Sequence, residues 1–492
     1  MELAAELQRA LDGVCATGAP EVRENGEWLA ALDGVRYEVR AQGGVALLHL
    51  WSAHQSVVRR VVRVAEESRE RVVVEVARLG HLRHAQLEFV AAGAGREARR
   101  VDREQFCDRL RQILTDRFPD ETVDSLVTSS DLHRSISGSY TRGLLHRGSE
   151  AYAVLGASPN ENASTIDGIL TFGLIWLDHV RERAQRHSVR GLRLFLPRGS
   201  SAITAHRMTA LASPREIELY EYDPLYWRVR QVAISDAGNL ATWIVPRREV
   251  EQALATVLAE AERIRRLAPE AIRMGVAAAT REVTLRFRGL EFARWRLGAM
   301  WFGLGDHQEL LTPERWPALE TLVRQMETHR HPLASDTKHR LYRAQPERWL
   351  ETMVAADPAR IDARLDSRHI YAQVPAFSSG DRGIIDLLGV TRDGRLAVLE
   401  LKASEDIHLV MQAVDYWLRV RWHQDQNDFR RYGYFPDVPL QPKPPLLFLV
   451  APGFRFHPSS DIVLRYLSPD IEVLRVGLGE NWRRSLRVVF RQ

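Results

Sequence analysis

The sequence predicts a mixed α/β (α+β) protein that consists of two similar halves. Its 492 residues are 45% hydrophobic and 27% charged, which matches an ordinary globular protein of several domains. Stretches rich in β-branched residues alternate with stretches whose apolar residues recur at helical spacing. Segments of both kinds also recur in the same order at a nearly constant distance along the chain, which indicates an internal duplication.

Residues 1–100 are predicted to form a short amphipathic helix followed by a β-rich segment. The helix covers about the first 16 residues. Four stretches combine β-branched residues with arginine or glutamate in alternation: Val35 to Arg40, Val45 to Trp51, Val57 to Val64 and Arg71 to Ala77. This alternation is typical of strands that have one face in water.

The duplication relates residues 101–235 to residues 336–492, which we name the first and second α/β segments. The strand-like stretches Ala153-Val154-Leu155 and Ala397-Val398-Leu399 lie 244 positions apart, and Leu192 to Pro197 and Leu446 to Ala451 are a second strand-like pair. The helical stretches opened by Glu104 and Glu347 lie 243 positions apart, and those around Ile175 and Tyr416 lie 241 apart. Upstream of both segments, Val35 to Val39 and Val283 to Phe287 lie 248 positions apart. Residues 236–335 are predicted to connect the segments through a helix and a β-hairpin.

A β-hairpin in the second segment carries the strongest chemical signal. Two apolar strands flank the Asp-Gly pair Asp393-Gly394, a strong hairpin signal. With Gly394 at positive φ in a three-residue loop, Thr391 pairs with Arg395. The same register places Asp386 opposite Glu400, with β-carbons about 5 Å apart.

Asp386 and Glu400 are predicted to hold a cation, because two adjacent buried carboxylates repel each other. Mg²⁺ suits oxygen ligands, and the backbone carbonyl of Leu401 would be a further ligand. Lys402 lies two residues beyond Glu400 on the same strand face. Only Lys338, Lys402 and Lys443 are lysines among 68 basic residues, which indicates that this position requires a compact ammonium group.

Helices are predicted on both sides of the hairpin. Ser404 is the expected N-cap of a helix whose apolar stripe includes Val410, Val414 and Trp417, and whose neighbouring stripe carries Gln412, Tyr416 and Arg419. Pro346 suits the first position of an upstream helix that has Glu347, Leu350, Glu351 and Val354 on one face.

The order of the predicted helices and strands, together with these residues, resembles the PD-(D/E)xK nuclease superfamily, which includes restriction endonucleases and Holliday-junction resolvases. Asp386 and the triplet Glu400-Leu401-Lys402 match the family signature. Gln412 with Tyr416 matches the Gln-x-x-x-Tyr helix of the recombination-type subgroup. The resemblance covers residues from Gln345 to Val476. It implies a restriction-endonuclease-like αβββαβ domain that hydrolyses phosphodiester bonds with Mg²⁺ or Mn²⁺.

Several residues have both a catalytic and a structural interpretation. Glu347 resembles the first-helix glutamate of the family, although it also suits the positive end of a helix dipole, and Glu351 competes for the role. Gln412 and Tyr416 are also explained as packing partners. Arg382 and Arg419 are candidate phosphate contacts in a chain where arginine is common.

The first segment lacks this chemistry. The repeat offset of 244 maps Asp386 onto Arg142, Glu400 onto Gly156 and Lys402 onto Ser158. The first segment is therefore predicted to be a degenerate nuclease-like module that binds nucleic acid, with Arg142 as a phosphate contact, or that forms a pseudo-dimer with the second.

The amino-acid composition excludes several kinds of metal site and disulfide structure. Two cysteines exclude a four-cysteine zinc site, an iron–sulfur cluster and a disulfide framework. The longest apolar run is too short to span a membrane, so we expect a cytoplasmic protein with no membrane partner. The expected activity is cleavage of DNA rather than RNA, by a monomer or a homodimer. The alternative is a non-catalytic nucleic-acid-binding or regulatory protein, or a subunit of a repair or defence assembly.

Overall fold

A computed structural model describes most of the chain. The described residues are 2–16, 20–24, 27–31, 36–42, 45–51, 56–68, 70–77, 84–91, 94–129, 131, 136–184, 187–235, 242–277, 280, 282–305, 307–378 and 381–492. They divide into two compact units. One consists of Met1–Asp108, Asn160–Ala163 and Gly305–His307, and the other of Arg109–Pro159, Ser164–Leu304 and Gln308–Gln492. Within the described ranges, no helix is long and apolar enough to cross a membrane.

The first unit is built on an antiparallel sheet. Its elements are α1 (Glu2–Cys15), β1 (Glu21–Glu24), β2 (Glu27–Ala31), β3 (Arg36–Gln42), β4 (Val45–Trp51), β5 (Ser56–Glu67), β6 (Arg71–Ala77), β7 (His84–Val90) and the start of α2 (Ala94–Arg117). The strand order is β2-β1-β7-β6-β5-β4-β3. Leu7, Leu11 and Val14 of α1 belong to the core that covers one face of this sheet. The predicted helix and four strands are present, and α2 begins at Ala94 rather than at Glu104.

The first α/β segment continues as a mixed sheet with helices. Its elements are β8 (Thr122–Val123), β9 (Tyr140–Arg147), β10 (Glu150–Ala157), α3 (Ala163–Asp167), α4 (Ile169–Arg183), β11 (Ser188–Pro197), α5 (Ala202–Met208), β12 (Ile217–Tyr222) and β13 (Val229–Val232). The strand order is β13-β12-β11-β10-β9-β8. Neighbours β10, β11 and β12 run parallel, whereas β9 and β13 are antiparallel to their partners.

Residues 236–335 contain more structure than the helix and hairpin that the sequence predicts. The elements here are β14 (Thr242–Ile244), α6 (Arg247–Thr256), α7 (Leu258–Arg265), β15 (Ile272–Val276), β16 (Val283–Phe287), β17 (Leu290–Arg296), β18 (Ala299–Leu304), β19 (His307–Leu310) and α8 (Trp316–His329). Strands β15 to β19 form one sheet in sequence order. Its core includes Leu285, Phe287 and Phe292 with Leu319 and Val323 of α8.

The second α/β segment completes the fold. Its elements are α9 (Arg340–Arg343), α10 (Pro346–Ala356), β20 (Leu365–Ser378), β21 (Asp381–Thr391), β22 (Leu396–Leu401), α11 (Leu409–Asp425), α12 (Asp428–Arg431), β23 (Leu446–Pro452), α13 (Ser460–Arg465), β24 (Val473–Leu478) and β25 (Val488–Arg491). The strand order is β14-β20-β21-β22-β23-β24-β25. Pro346 opens α10, as predicted.

The sheets of the two α/β segments repeat one pattern. Strands β8 to β13 and strands β20 to β25 lie side by side in sequence order. In each set the second strand is antiparallel to the third, the third to fifth are parallel, and the sixth is antiparallel. This identity of topology supports the predicted duplication, while common descent of the segments stays a prediction.

The two segments also pack against each other reciprocally. Helix α4 contacts α13, and α11 contacts α5. Between these helices, Leu211 and Leu467 form an antiparallel bridge. The amide of Ala212 donates to the Tyr466 carbonyl at 2.9 Å, and the amide of Ser468 donates to the Ala210 carbonyl at 2.8 Å. Corresponding elements thus meet as the two halves of a symmetric dimer would.

Candidate active site

The hairpin of β21 and β22 has the predicted register. Leu387 pairs with Leu399 and Val390 with Leu396, and this register places Asp386 opposite Glu400. At the turn, the Thr391 amide donates to the Arg395 carbonyl at 2.8 Å. Gly394 has φ of 91°, a conformation that favours glycine. A short local loop therefore determines which two carboxylates face each other.

A cavity of about 730 Å³, which we name the carboxylate cavity, opens beside these residues. It is lined by Gln345, Glu347, Arg348, Ile384, Asp386, Glu400, Leu401, Lys402, Gln412, Asp415 and Tyr416. Most of the residues that the sequence singles out in the second segment are therefore brought together. Four carboxyl groups and two cationic groups line this cavity, so its walls carry an excess of potential negative charge.

Glu400 is a buried carboxyl group, and Asp386 beside it is partly buried. Glu400 is 3% exposed, and its Oε2 has no hydrogen-bond partner among the described residues. Burial, together with the adjacent Asp386, raises the pKa of Glu400 well above its usual range. Burial also raises the pKa of Asp386, against the opposing effects of Arg348 and the Leu401 amide. That amide donates to Asp386 Oδ2 at 3.2 Å.

Lys402 provides the ammonium group next to this pair. Its Nζ lies 3.6 Å from Glu400 Oε1 and 3.3 Å from Asp406 Oδ2. Burial alone would lower the pKa of Lys402, but the nearby carboxylates of Glu400 and Asp406 raise it. The side chain therefore stays a cation on the strand face where the sequence places it. Asp406 was not anticipated, because it lies in the turn that precedes α11.

The two candidate glutamates of α10 have different surroundings. Glu347 lines the cavity, and its Oε1 accepts hydrogen bonds from the Ala403 amide at 3.3 Å and from Ser404 Oγ at 3.4 Å. Glu351 lies outside the lining and accepts from Arg348 Nη1 at 2.6 Å. Burial raises the pKa of Glu351 to about 8, although the cation of Arg348 opposes this shift. The geometry favours Glu347 as the glutamate of the cavity.

Arg348 was missed by the sequence interpretation, although it connects these groups. The Nη1 atom that binds Glu351 also lies 3.3 Å from Asp386 Oδ1. On β20, Gln373 donates to Glu351 Oε2 at 2.5 Å. Gln373 has φ of 56°, which is an unfavourable conformation for its side chain, and its neighbours Ala372 and Val374 pair with the residues that flank Asp386. Strain of this kind is concentrated at functional sites.

Helix α11 supplies the polar residues of the opposite wall. Gln412 and Tyr416 both line the cavity, and burial followed by the charges of Glu400 and Asp386 raises the pKa of the Tyr416 phenol. The helix begins at Leu409 with His408 as its N-cap, so the prediction that Ser404 caps it is wrong. Ser404 instead contacts Glu347, because residues 405–408 form a turn before the helix begins.

Of the two candidate phosphate contacts, Arg419 is not among the described residues that line the cavity. Arg419 is buried, and its Nη1 donates to the Ala376 carbonyl at 2.7 Å. Gly383 lies against this guanidinium so closely that a β-carbon there would collide with it. Arg419 therefore holds β20 and β21 against α11 in this structure. The backbone of Arg382 pairs with Phe377, but its side chain lies outside the described residues.

In the first segment, the structure corrects two of the three mapped positions. There Arg147 pairs with Glu150, which leaves a loop one residue shorter than that of the second segment. Counting from each turn, Asp386 matches Arg142, as predicted, but Glu400 matches Leu155 and Lys402 matches Ala157. Gly156 and Ser158 were predicted because a constant offset ignores the missing loop residue.

Arg142 is not presented as a phosphate contact. The residue is 5% exposed, and its Nη1 donates to the Ser129 carbonyl at 2.5 Å. Its guanidinium lies over the ring of Trp176, 5.7 Å from the centroid. Burial lowers the pKa of Arg142. Arg142, at the position that matches Asp386, is thus a packed and hydrogen-bonded interior residue of the first segment.

A divalent cation fits the carboxylate cavity on chemical grounds. Asp386 and Glu400 provide hard oxygen donors, and one Glu400 oxygen is buried without a partner, which leaves it available for a cation. Within the described residues, no group of three or more His, Cys, Asp and Glu side chains is arranged to hold a metal ion. Any metal here would therefore need ligands beyond side chains, such as water or the predicted Leu401 carbonyl.

The first segment reaches the cavity through one ion pair. Arg207 of α5 donates to both oxygens of Asp415 on α11, at 2.9 and 2.7 Å. Asp415 lines the carboxylate cavity between Gln412 and Tyr416 along the helix. No sequence signal identifies this pair, because the partners are 208 positions apart.

Comparison with known proteins adds no family assignment. A scan against protein-family models finds no match, and no curated protein matches the chain. The functional interpretation therefore rests on the residues and geometry of the site.

Proposed function

We propose that the chain is a metal-dependent nuclease that hydrolyses phosphodiester bonds of DNA, with the second α/β segment as a PD-(D/E)xK nuclease domain. The observation that carries this proposal is the cross-strand pair of Asp386 and Glu400 at the cavity, with Lys402 beside it. A repelling pair that contains an unpartnered buried oxygen is destabilising unless a cation joins it. Proteins retain such an arrangement where it serves chemistry.

Asp386, Glu400 and the carbonyl of Leu401 would hold Mg²⁺ or Mn²⁺. When bound, such an ion lowers the pKa of a coordinated water and polarises a phosphate oxygen. The chain's own residues supply the remaining functions. Lys402 offsets negative charge that develops on the phosphate, and Gln412 and Tyr416 provide polar contacts on the opposite wall. Arg348 orients Asp386 through their contact of 3.3 Å.

The test is divalent-metal dependence of cleavage by the full chain. Supercoiled plasmid and single-stranded DNA are incubated with Mg²⁺ or Mn²⁺, with EDTA as the control. We expect nicking in both metals, and we expect Lys402→Ala to lower the rate at least about 100-fold while DNA affinity changes little. Lys338→Ala is the matched control, because Lys338 is an exposed lysine outside the cavity. Equal rates for the wild type and Lys402→Ala across a wide metal range would refute the proposal.

A second candidate is a non-catalytic nucleic-acid-binding protein that retains the fold. Two observations favour it: the lack of a third side-chain ligand among the described residues, and the contact of Arg348 with Asp386. Salt-sensitive DNA binding without cleavage of any substrate, junctions and RNA included, would favour this candidate.

A further inference from the structure

A second cavity, of about 500 Å³, lies on the other side of Arg348. We name it the arginine cavity, because Arg247, Arg273, Arg286, Arg348 and Arg368 all line it. Among the described residues of its lining, Glu351 is the one with an acidic side chain. Its volume lies within the range of small-molecule sites, about 300 to 1,000 Å³.

Two of these arginines face each other across neighbouring strands. Arg273 of β15 is the direct antiparallel partner of Arg286 of β16. Like charges at such positions repel and destabilise a sheet. Arg273 is exposed, donates to the main-chain carbonyl of Pro269 at 2.7 Å and forms no ion pair among the described residues. The pair therefore presents two neighbouring guanidinium groups to the cavity, and an anion would bind both.

Arg286 is the more buried of these two arginines. Within the described residues it forms no ion pair, whereas Arg368 binds Asp366 at 2.8 Å and Arg348 binds Glu351 at 2.6 Å. The carboxyl groups of Glu351 and Glu291 favour the charged form of Arg286, whereas the cations of Arg348 and Arg294 disfavour it. A partly buried guanidinium in this setting is stabilised by an anionic ligand.

Much of the remaining lining is apolar or aromatic. Val250 and Leu254 of α6, Met274 and Val276 of β15, and Ile370 and Tyr371 of β20 line the cavity. An inorganic anion would leave these surfaces uncovered. A ligand that joins an anionic group to a flat apolar body covers both kinds of wall.

We propose that the arginine cavity binds a nucleotide, with its phosphate on Arg273 and Arg286 and its base against the wall formed by Leu254, Val276 and Ile370. The choice of a nucleotide among organic anions rests on the proposed function, because Arg348 lines both cavities and contacts Asp386. The nucleotide is either a free mononucleotide or an unstacked nucleotide of the strand that is cleaved. Both sources present the same phosphate and base.

The test measures binding of the four deoxynucleoside monophosphates and of inorganic phosphate to the full chain by calorimetry, in EDTA so that no cleavage occurs. Arg286→Gln removes the uncompensated cation, and Leu254→Trp fills the apolar wall from a different element. Arg265→Gln and Leu258→Trp, both on α7 and outside the cavity, are the matched controls. Thermal unfolding verifies that each variant is folded.

Nucleotide binding tighter than phosphate binding, weakened at least about tenfold by both cavity variants and not by the controls, supports the free-nucleotide source. Absence of free-nucleotide binding, with a tenfold rise in KM for single-stranded DNA in both variants and an unchanged kcat, supports the substrate-strand source. If neither variant weakens nucleotide binding or raises the KM for single-stranded DNA, the inference is overturned. If the chain binds nucleotide through Arg286 but does not cleave DNA, the nuclease proposal is refuted and the nucleotide site is not.

Discussion

Arg207 of the first α/β segment donates two hydrogen bonds, of 2.9 and 2.7 Å, to the Asp415 carboxylate of the second. A third donor of the same guanidinium binds the Asp167 carbonyl. Asp415 lies on the wall of the carboxylate cavity, one turn from Gln412 and next to Tyr416. The first segment thus positions the helix that lines the carboxylate cavity, which is a structural role.

Arg207→Ala is expected to destabilise the chain by about 3 kcal/mol, because it leaves Asp415 without its partner in a mostly buried position. Arg465→Ala is the matched control. It removes a second ion pair between described residues of the two segments, with Asp178, and Arg465 is 60% exposed, so the loss should stay within about 1 kcal/mol. Urea unfolding measures both. Equal losses would contradict a special role for Arg207.

The sequence predicts the site well where the determining contacts are local. The pairing of Asp386 with Glu400 follows from one three-residue loop, and the structure has that loop. The start of α11 at Leu409 was missed because Ser404 is a good N-cap by residue type, yet Glu347, far away in sequence, binds its hydroxyl. The Arg207–Asp415 pair depends on the packing of two whole segments, which residue patterns do not encode.

Glu400→Gln is expected to stabilise the metal-free chain at neutral pH by about 1 kcal/mol or more, because burial and the adjacent Asp386 raise the pKa of Glu400 and thereby make this carboxyl group destabilising in the folded chain. The same change removes a proposed metal ligand. Mg²⁺ should therefore raise the melting temperature of the wild type and leave that of the variant almost unchanged. Glu405→Gln, at a half-exposed carboxylate, is the control and should retain the Mg²⁺ response. A Glu400→Gln chain that Mg²⁺ stabilises as much as the wild type would contradict the ligand assignment.

Arg330 is a fully buried cation that holds the connecting region to the second segment. Its guanidinium donates to the carbonyls of Phe287, Arg288, Leu341, Ala344 and Gln345. Burial lowers the pKa of Arg330 to about 9. Gln345 immediately precedes α10, so these bonds fix the start of the helix that carries Glu347 and Arg348.

Arg330→Met should destabilise the chain by at least about 3 kcal/mol, because five carbonyl groups lose a donor in a site closed to water. Activity should fall as well, since α10 loses its anchor. Arg324→Met, at an exposed position of α8, the helix that Arg330 immediately follows, should change stability by less than about 0.5 kcal/mol. Urea unfolding and the plasmid assay measure the two effects. An Arg330→Met chain with wild-type stability would show that the carbonyl groups find other donors.

His423 is expected to make stability depend on pH. The residue is 1% exposed, its Nδ1 lies 2.7 Å from Asp428 Oδ2, and its Nε2 has no hydrogen-bond partner among the described residues. A neutral ring that donates from Nδ1 fits these surroundings. Burial lowers the pKa of His423 below its ordinary value of 6.5, although Asp428 opposes the shift.

Between the folded and unfolded pKa of His423, the unfolded chain binds the extra proton and the folded chain does not. Stability due to the neutral ring is therefore fully present above about pH 6.5 and is lost as the pH falls through the folded pKa. His423→Gln should lower stability at every pH but reduce its slope between pH 7.5 and 5.5, by up to about 1.4 kcal/mol per pH unit. Urea unfolding across this range gives the slope. A slope as steep as that of the wild type would mean that the pKa of His423 is the same in the folded and unfolded chains.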